Sequence, residues 1–108
     1  MDSTINNKFI KQEERFLGWI EIDYVPLYDV VRLFSGYSKM LPTEKEFLKA
    51  IKFLDYLLKK YGSKLKYYLG PGAEQINQSP EEFLTWLKKI WYSGEYKDKR
   101  HDFWFDLD

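Results

Sequence analysis

The most regular pattern of apolar and polar positions lies in the middle of the chain, over residues 43–61. Apolar residues recur there at steps of four and three, which places them on one side of an α-helix. Thr43 followed by Glu46 forms a capping-box pattern at the start, and Gly62 suits the left-handed position after a helix. The stripe predicted to be buried comprises Phe47, Ile51, Leu54, Leu58 and Tyr61.

A second helix is predicted over residues 79–92. Ser79 is a capping residue, Pro80 occupies the first helical position, Glu82 completes a capping box, and Gly94 ends the pattern. The predicted buried side chains are Phe83, Trp86, Leu87 and Ile90.

A third, shorter helix is predicted over residues 26–35, between a proline and a glycine. Its apolar side chains, Leu27, Val30, Val31 and Phe34, recur at helical spacing. The first fifteen residues fit either a short helix or a loose arm, and residues 95–101 are predicted to be a solvated loop.

Alternation of apolar and polar residues predicts three half-buried strands, at residues 18–25, 64–69 and 102–108. If the first and third strands share one sheet, their pleats can be matched. The side facing the helices would then carry Ile20, Ile22, Tyr24, Phe103, Phe105 and Leu107. The opposite, open side would carry Trp19, Glu21, Asp23, Trp104, Asp106 and Asp108.

The predicted order of elements is β-α-α-β-α-β, which indicates an α+β fold. We expect a single domain over residues 1–108 with two layers: a small sheet of about three strands with three or four helices packed on one face. A helix bundle with extended ends is the alternative.

Aromatic residues make up 19% of the chain, with 8 Phe, 9 Tyr and 4 Trp, which is more than a small core readily hides. We therefore expect some of them at the surface. There is no cysteine, so disulfides and thiolate metal sites are excluded. No apolar run approaches the roughly 20 residues that span a bilayer, and the N-terminus lacks an apolar signal core. We expect a cytoplasmic protein.

The formal net charge is zero, but the charges are unevenly distributed along the chain. Residues 39–66 carry eight lysines and three acids, whereas the last seven residues carry three aspartates. A Lys-rich helix is compatible with phosphate contacts. However, acids are interspersed among these lysines, and residues 39–66 contain no arginine that could read bases. Nucleic-acid binding through this helix is an alternative, and a solvated lysine face is the simpler interpretation.

The chain shows little catalytic chemistry. His101 is the only histidine, no serine lies in a nucleophile-elbow pattern, and no glycine-rich phosphate loop occurs. A metal site at His101, Asp102 and Asp106 lacks further ligands at a recognisable spacing. We expect no cofactor, no metal and no enzymatic activity, with a carboxylate-dependent enzyme as the alternative.

Binding to another protein is the prediction that the open side of the sheet favours. Two indoles among four carboxylates combine large contact area with charge, as interfaces do. The predicted partner-binding residues are Trp19, Glu21, Asp23, Trp104, Asp106 and Asp108. An ordinary polar face, on which the tryptophans cover neighbouring backbone, is the competing interpretation.

From residue 47 onwards the sequence resembles a family of small bacterial immunity proteins. The stretch "FLKAIKFLDYLLKKYGSKLKYYLGPGAEQINQSPEEFLTWLKKIW", followed by "DFWFD", has the outline of an apolar helix, a Lys-Leu strand, a glycine turn, a Glu-Gln pair, a helix ending in Trp and an acidic aromatic strand. Members of the family neutralise toxins of contact-dependent growth inhibition systems.

The resemblance implies a protein that binds a cognate toxin and blocks its active site or its access to substrate. Many such toxins are nucleases with basic surfaces, which carboxylates of an inhibitor can meet. A phage-type inhibitor of a defence nuclease is the alternative partner relationship, and sequence does not distinguish the two.

Overall fold

The computed structural model describes residues 8–37 and 41–108. Within these residues the chain forms five helices and one antiparallel sheet of three strands, which confirms the α+β prediction. The elements are α1 (Ile10–Ile20), β1 (Val25–Pro26), α2 (Leu27–Ser35), α3 (Glu44–Tyr61), a 3₁₀ turn (Gly62–Lys64), β2 (Leu65–Leu69), α4 (Pro80–Tyr92), α5 (Tyr96–Lys99) and β3 (Phe103–Leu107).

Helix α3 is the centre of the helical layer. Its capping box is present in both directions: the Thr43 hydroxyl accepts from the Glu46 N–H, and the Glu46 carboxylate accepts from the Thr43 N–H. Four members of the predicted stripe are buried, and Leu54 is completely inaccessible. Further buried residues, Ala50, Phe53 and Leu57, widen the apolar arc because α3 packs against α2, α4 and β2 at once.

The sheet has the order β1-β3-β2, with both pairs antiparallel. The last strand in sequence therefore occupies the middle of the sheet. Phe105 lies opposite Val25 on one side and opposite Tyr67 on the other. Side chains alternate as predicted for β3, with Phe103 and Phe105 buried against the helices.

Helix α4 covers the inner face of the sheet through Phe83. The Phe83 ring stacks on Tyr67, with centroids 4.0 Å apart, and meets Phe103 and Phe105 edge-on at 6.1 and 6.0 Å. Trp86 makes a further edge contact with Phe103 at 5.1 Å. The capping box predicted for this helix, between Ser79 and Glu82, is present.

The prediction of a strand over residues 18–25 is wrong. Residues up to Ile20 belong to α1, a turn follows, and only Val25–Pro26 pair with the sheet. The Trp19 carbonyl accepts from the N–H groups of both Ile22 and Asp23, and this hydrogen bonding closes the chain into a turn instead of extending it. Alternation over so short a segment does not distinguish these two outcomes.

The inward face predicted for that strand is corrected accordingly. Ile20 is buried, but as part of α1. Ile22 is 85% exposed in the turn, and Tyr24 lies on the open side of the sheet, because it alternates with the buried Val25.

The segment predicted as a solvated loop, residues 95–101, contains the short helix α5. Tyr96 is buried there and contacts Phe47 and Trp91, with ring centroids 5.5 and 5.4 Å away. Tyr96 thus anchors to the core a segment whose many charged residues had suggested a solvated loop. Of the first fifteen residues, those from Ile10 onward are helical, while residues 1–7 lie outside the described part.

A buried carboxylate fastens α1 to α3. Glu13 is only 6% exposed, and its oxygens accept from the Tyr56 hydroxyl at 2.6 Å, the Tyr61 hydroxyl at 2.5 Å and the Lys60 ammonium at 2.8 Å. Burial raises the pKa of Glu13, but the hydrogen bonds from Lys60, Tyr56 and Tyr61 outweigh it and hold the pKa below 4.5. Burial and the bond to Glu13 raise the pKa of Tyr61 to about 12.

We predict that Glu13→Gln destabilises the fold by about 1–3 kcal/mol at neutral pH. The substitution replaces one carboxylate oxygen by an amide nitrogen, which cannot accept hydrogen bonds from the surrounding donors. Because the folded pKa of Glu13 is depressed, its contribution is complete above 4.5 and disappears as the pH falls through the folded value. Urea unfolding of parent and variant, at neutral pH and at pH values below 4.5, measures how much stability the Glu13 carboxylate contributes.

Glu14→Gln is the matched control, because Glu14 is the exposed neighbour on the same helix. We expect its effect to stay within about 0.5 kcal/mol at every pH. Equal stabilities of the Glu13 and Glu14 variants at neutral pH would contradict a structural role for the buried carboxylate.

Candidate functional site

The side of the sheet that faces away from the helices is the candidate site. Trp104 and Asp106 alternate with the buried Phe103 and Phe105, so their side chains project to this open face and remain partly exposed. The Asp108 N–H donates to the Lys64 carbonyl at 2.9 Å, which carries strand pairing to the end of β3. The structure therefore brings together the three site residues predicted in this strand.

The other three predicted residues do not join this face as a strand. Trp19 lies in the last turn of α1 and packs against the hydrophobic core, while Glu21 and Asp23 are exposed in the following turn. The Asp23 carboxylate accepts from the Tyr24 N–H at 2.7 Å, so it serves the turn that leads into β1.

Two tyrosines occupy the open face instead. Tyr68 in β2 lies directly opposite Trp104, and Tyr24 meets Tyr68 edge-on with ring centroids 5.6 Å apart. Tyr24 reaches across to the hairpin after β2, where its hydroxyl would lie 3.9 Å from a Cβ at Gly72. Along β2, Tyr68 alternates with the buried Leu65 and Tyr67, which puts it on the open side, and the strand order makes β2 the neighbour of β3.

The indole of Trp104 is fixed by one hydrogen bond. Its Nε1–H donates to the His101 carbonyl at 2.7 Å. The polar atom of the ring is therefore satisfied within the chain, and the ring itself is what the face offers to a partner.

The charges of the face are fewer than predicted and partly paired. Lys66 lies opposite Asp106, and its ammonium is 2.6 Å from the Asp108 carboxylate. The hydrogen bond to Asp108, together with its negative charge, raises the pKa of Lys66. Asp108 is therefore paired with Lys66, while Asp106 has the same lysine as its cross-strand neighbour.

A lysine stripe on α3 forms a separate surface. Lys45, Lys49, Lys52 and Lys59 are exposed along one side of the helix, next to a shallow groove of about 710 Å³ bordered by Phe9 and Tyr56. Intramolecular pairs reduce its charge: Lys59 lies 2.9 Å from Asp55, and Lys60 bonds to Glu13. Lys39, also counted in the basic segment, lies outside the described residues.

His101 is more constrained than a solvated loop residue. Its ring lies against Tyr28 with centroids 4.5 Å apart, and its Nε2 accepts from the Arg100 Nε–H at 3.3 Å. In the described part of the chain no three or more His, Asp or Glu side chains come together in a way that would hold a metal ion, so His101, Asp102 and Asp106 form no such cluster.

Among residues 8–37 and 41–108, no helix combines the length and the apolar character that crossing a bilayer requires. Comparison of the chain with known protein families, with curated proteins and with solved structures finds no match in any of the three.

Proposed function

We propose that this chain is an immunity-type protein that binds a bacterial toxin domain through the open face of its sheet and blocks the toxin's active site or access to substrate. The proposed partner surface is basic, as in a domain that handles nucleic acid, and the proposed place of action is the cytoplasm. The resemblance of residues 47–108 to immunity proteins of contact-dependent growth inhibition systems supports this proposal.

The observation that carries the proposal is the position of Trp104. The ring projects from the central strand, and its cross-strand neighbours are Tyr68 in β2 and Pro26 in β1. Rigid aromatic rings at the centre of a surface are the usual source of binding energy in protein interfaces. Because strands on both sides hold β3, such an anchor would lose little conformational freedom on binding.

The carboxylates supply the second part of the argument. Asp106 and Asp108 lie at one end of the face, where Lys66 of β2 and the preceding Lys64 lie beside them. A partner that presents lysines or arginines for phosphate would find complementary charge there, which accelerates association and fixes orientation. A phage-type inhibitor of a defence nuclease would use the same contacts, and the identity of the bound protein separates the two.

We predict that Trp104→Ala weakens binding to the proposed toxin partner by roughly thirtyfold, because truncating a central tryptophan removes about 2 kcal/mol or more. The fold should persist, since Trp104 is not part of the buried core. Co-purification followed by calorimetry measures the affinity, and thermal unfolding checks the fold.

Tyr92→Ala is the control for this measurement, because Tyr92 is an exposed aromatic residue on α4, 62% accessible. The affinity of the Tyr92→Ala variant for the toxin partner should match that of the parent protein. A folded Trp104 variant with parental affinity would place the interface elsewhere on the molecule.

We further predict that Asp106→Asn combined with Asp108→Asn slows association and flattens its dependence on salt, while dissociation changes little. Stopped-flow binding at several salt concentrations separates the two rates. Glu81→Gln combined with Glu82→Gln removes the same charge from the start of α4 and serves as the control. An association rate unaffected by the paired Asn substitutions would remove the electrostatic part of the proposal.

The lysine stripe of α3 favours a second candidate, a nucleic-acid-binding adaptor. Because part of its charge is neutralised within the chain, we predict no measurable binding to a generic duplex at physiological salt. Fluorescence anisotropy with a labelled duplex tests this. A low-micromolar complex whose affinity falls steeply with salt, and is lost in Lys49→Gln with Lys52→Gln, would favour the adaptor instead.

A further inference from the structure

A groove lies between the start of α1 and the middle of α3. Its volume is about 710 Å³, with Phe9 on the α1 side and Lys52, Tyr56 and Lys59 on the α3 side. Ligand clefts in proteins cover roughly 300–1,000 Å³, so the groove has room for large side chains of another molecule.

The apolar part of the groove is fixed by contacts within the chain. The Phe9 ring centroid lies 5.5 Å from the centroids of both Phe53 and Tyr56. The Tyr56 hydroxyl also donates to the buried Glu13 carboxylate at 2.6 Å. An apolar side chain that enters the groove therefore meets a preformed surface, which lowers the entropic cost of binding.

The lysine stripe of α3 leads into this groove. Lys45, Lys49, Lys52, Tyr56 and Lys59 follow one another at steps of four, three, four and three residues, so they lie on one side of the helix. At a rise of 1.5 Å per residue, this side extends for about 21 Å. The stripe and the groove form one continuous surface, with lysines along its length and aromatic rings near its carboxyl-terminal end.

Three lysines of the stripe lack a charge partner inside the described chain. Lys59 is paired with Asp55, at 2.9 Å. Over residues 8–37 and 41–108, no ion pair includes Lys45, Lys49 or Lys52. Their ammonium groups are exposed and are available to carboxylates of another molecule.

The acids at the start of α3 are bonded to other groups. Glu44 accepts from the Tyr92 hydroxyl of α4 at 2.9 Å. The Glu46 carboxylate accepts from the Thr43 N–H at 2.8 Å, as part of the capping box. These hydrogen bonds give both carboxylates roles within the fold that do not involve the lysine stripe.

An acidic amphipathic helix fits both parts of this surface. A helix lying along α3 repeats its side chains at matching intervals, so carboxylates on one side of it can meet successive lysines. An apolar side chain next to those carboxylates can enter the groove, as in other helix-in-groove complexes. A nucleic-acid duplex would meet the lysines through its phosphates and leave the Phe9 and Tyr56 rings without a partner.

We propose that the lysine stripe and the adjoining groove form a docking site for an acidic amphipathic helix of a protein partner. Carboxylates of that helix bind Lys45, Lys49 and Lys52. One of its apolar side chains packs against Phe9 and Tyr56. The site uses none of the residues of the open sheet face, so it stands or falls independently of the proposed toxin binding.

Fluorescence anisotropy with a labelled synthetic peptide tests the site. The probe is built from repeats of Leu-Glu-Glu-Ala-Leu-Glu-Ala and is about 21 residues long, because shorter helices are marginal in water. We expect saturable binding with a dissociation constant on the order of 10 μM. In titrations of the ¹⁵N-labelled chain, the shifts should map to α3 and to the start of α1.

Two matched peptides separate the contributions of charge and apolar contact. One carries Gln in place of every Glu, and the other carries Ala in place of every Leu. Each should bind about tenfold more weakly or worse, since the first loses the carboxylates and the second loses the side chains that fill the groove.

Lys49→Gln combined with Lys52→Gln should weaken binding of the acidic peptide by about tenfold, because two charge pairs are lost. Lys88→Gln combined with Lys89→Gln removes the same charge from exposed positions on α4 and is the matched control. Its affinity for the peptide should stay within about twofold of the parent protein.

Any of four results would overturn the proposal. The acidic peptide could fail to bind at concentrations up to on the order of 1 mM. The two lysine double variants could lose affinity equally, which would show a general charge effect. The Ala peptide could bind as tightly as the Leu peptide, or the shifts could map to the open sheet face, and either outcome would leave the groove without a role. A duplex that binds more tightly than the peptide would make the stripe a nucleic-acid surface instead.

Discussion

The position of Phe105 is the constraint on which the rest of the structure depends. It lies in the middle of β3, opposite Val25 and Tyr67, and beneath the Phe83 ring of α4. Both strand pairs of the sheet include β3, so this strand joins β1 and β2 into one sheet. Nearly eighty residues of chain separate Val25 from Phe105, and closing a loop of that length delays sheet formation relative to the helices.

Two polar arrangements hold the surrounding elements to this centre. Glu13 binds α1 to α3 by accepting side-chain hydrogen bonds from Tyr56, Lys60 and Tyr61. At the start of β3, the His101 carbonyl receives the Trp104 indole, while the His101 ring packs on Tyr28 of α2. His101 therefore links the open sheet face to α2.

The elements that sequence predicted well are those with local determinants. Helices α3 and α4 begin with capping boxes whose partners lie three residues apart, and β3 alternates over its whole length. Residues 18–25 failed because a short alternation also fits the end of a helix followed by a turn. No local signal distinguished the exposed Ile22 from a core residue.

The candidate sites were predictable only in part, for a related reason. Trp104 and Asp106 follow from the pleat of one strand, whereas the place of Tyr68 depends on strand order. The burial of Glu13 rests on tyrosines 43 and 48 residues away along the chain. Phe9 and Tyr56, which border one groove, belong to segments that only the tertiary fold brings together.

The alternation of β3 also limits how the proposed binding face can vary. The inward residues Phe103 and Phe105, which belong to the core, alternate along this strand with the outward residues Trp104 and Asp106 of the proposed binding face. A one-residue insertion or deletion would send the phenylalanines outward and the tryptophan inward. Substitutions at the outward positions can therefore alter the proposed binding face without changing the core, provided that the length of the strand is kept.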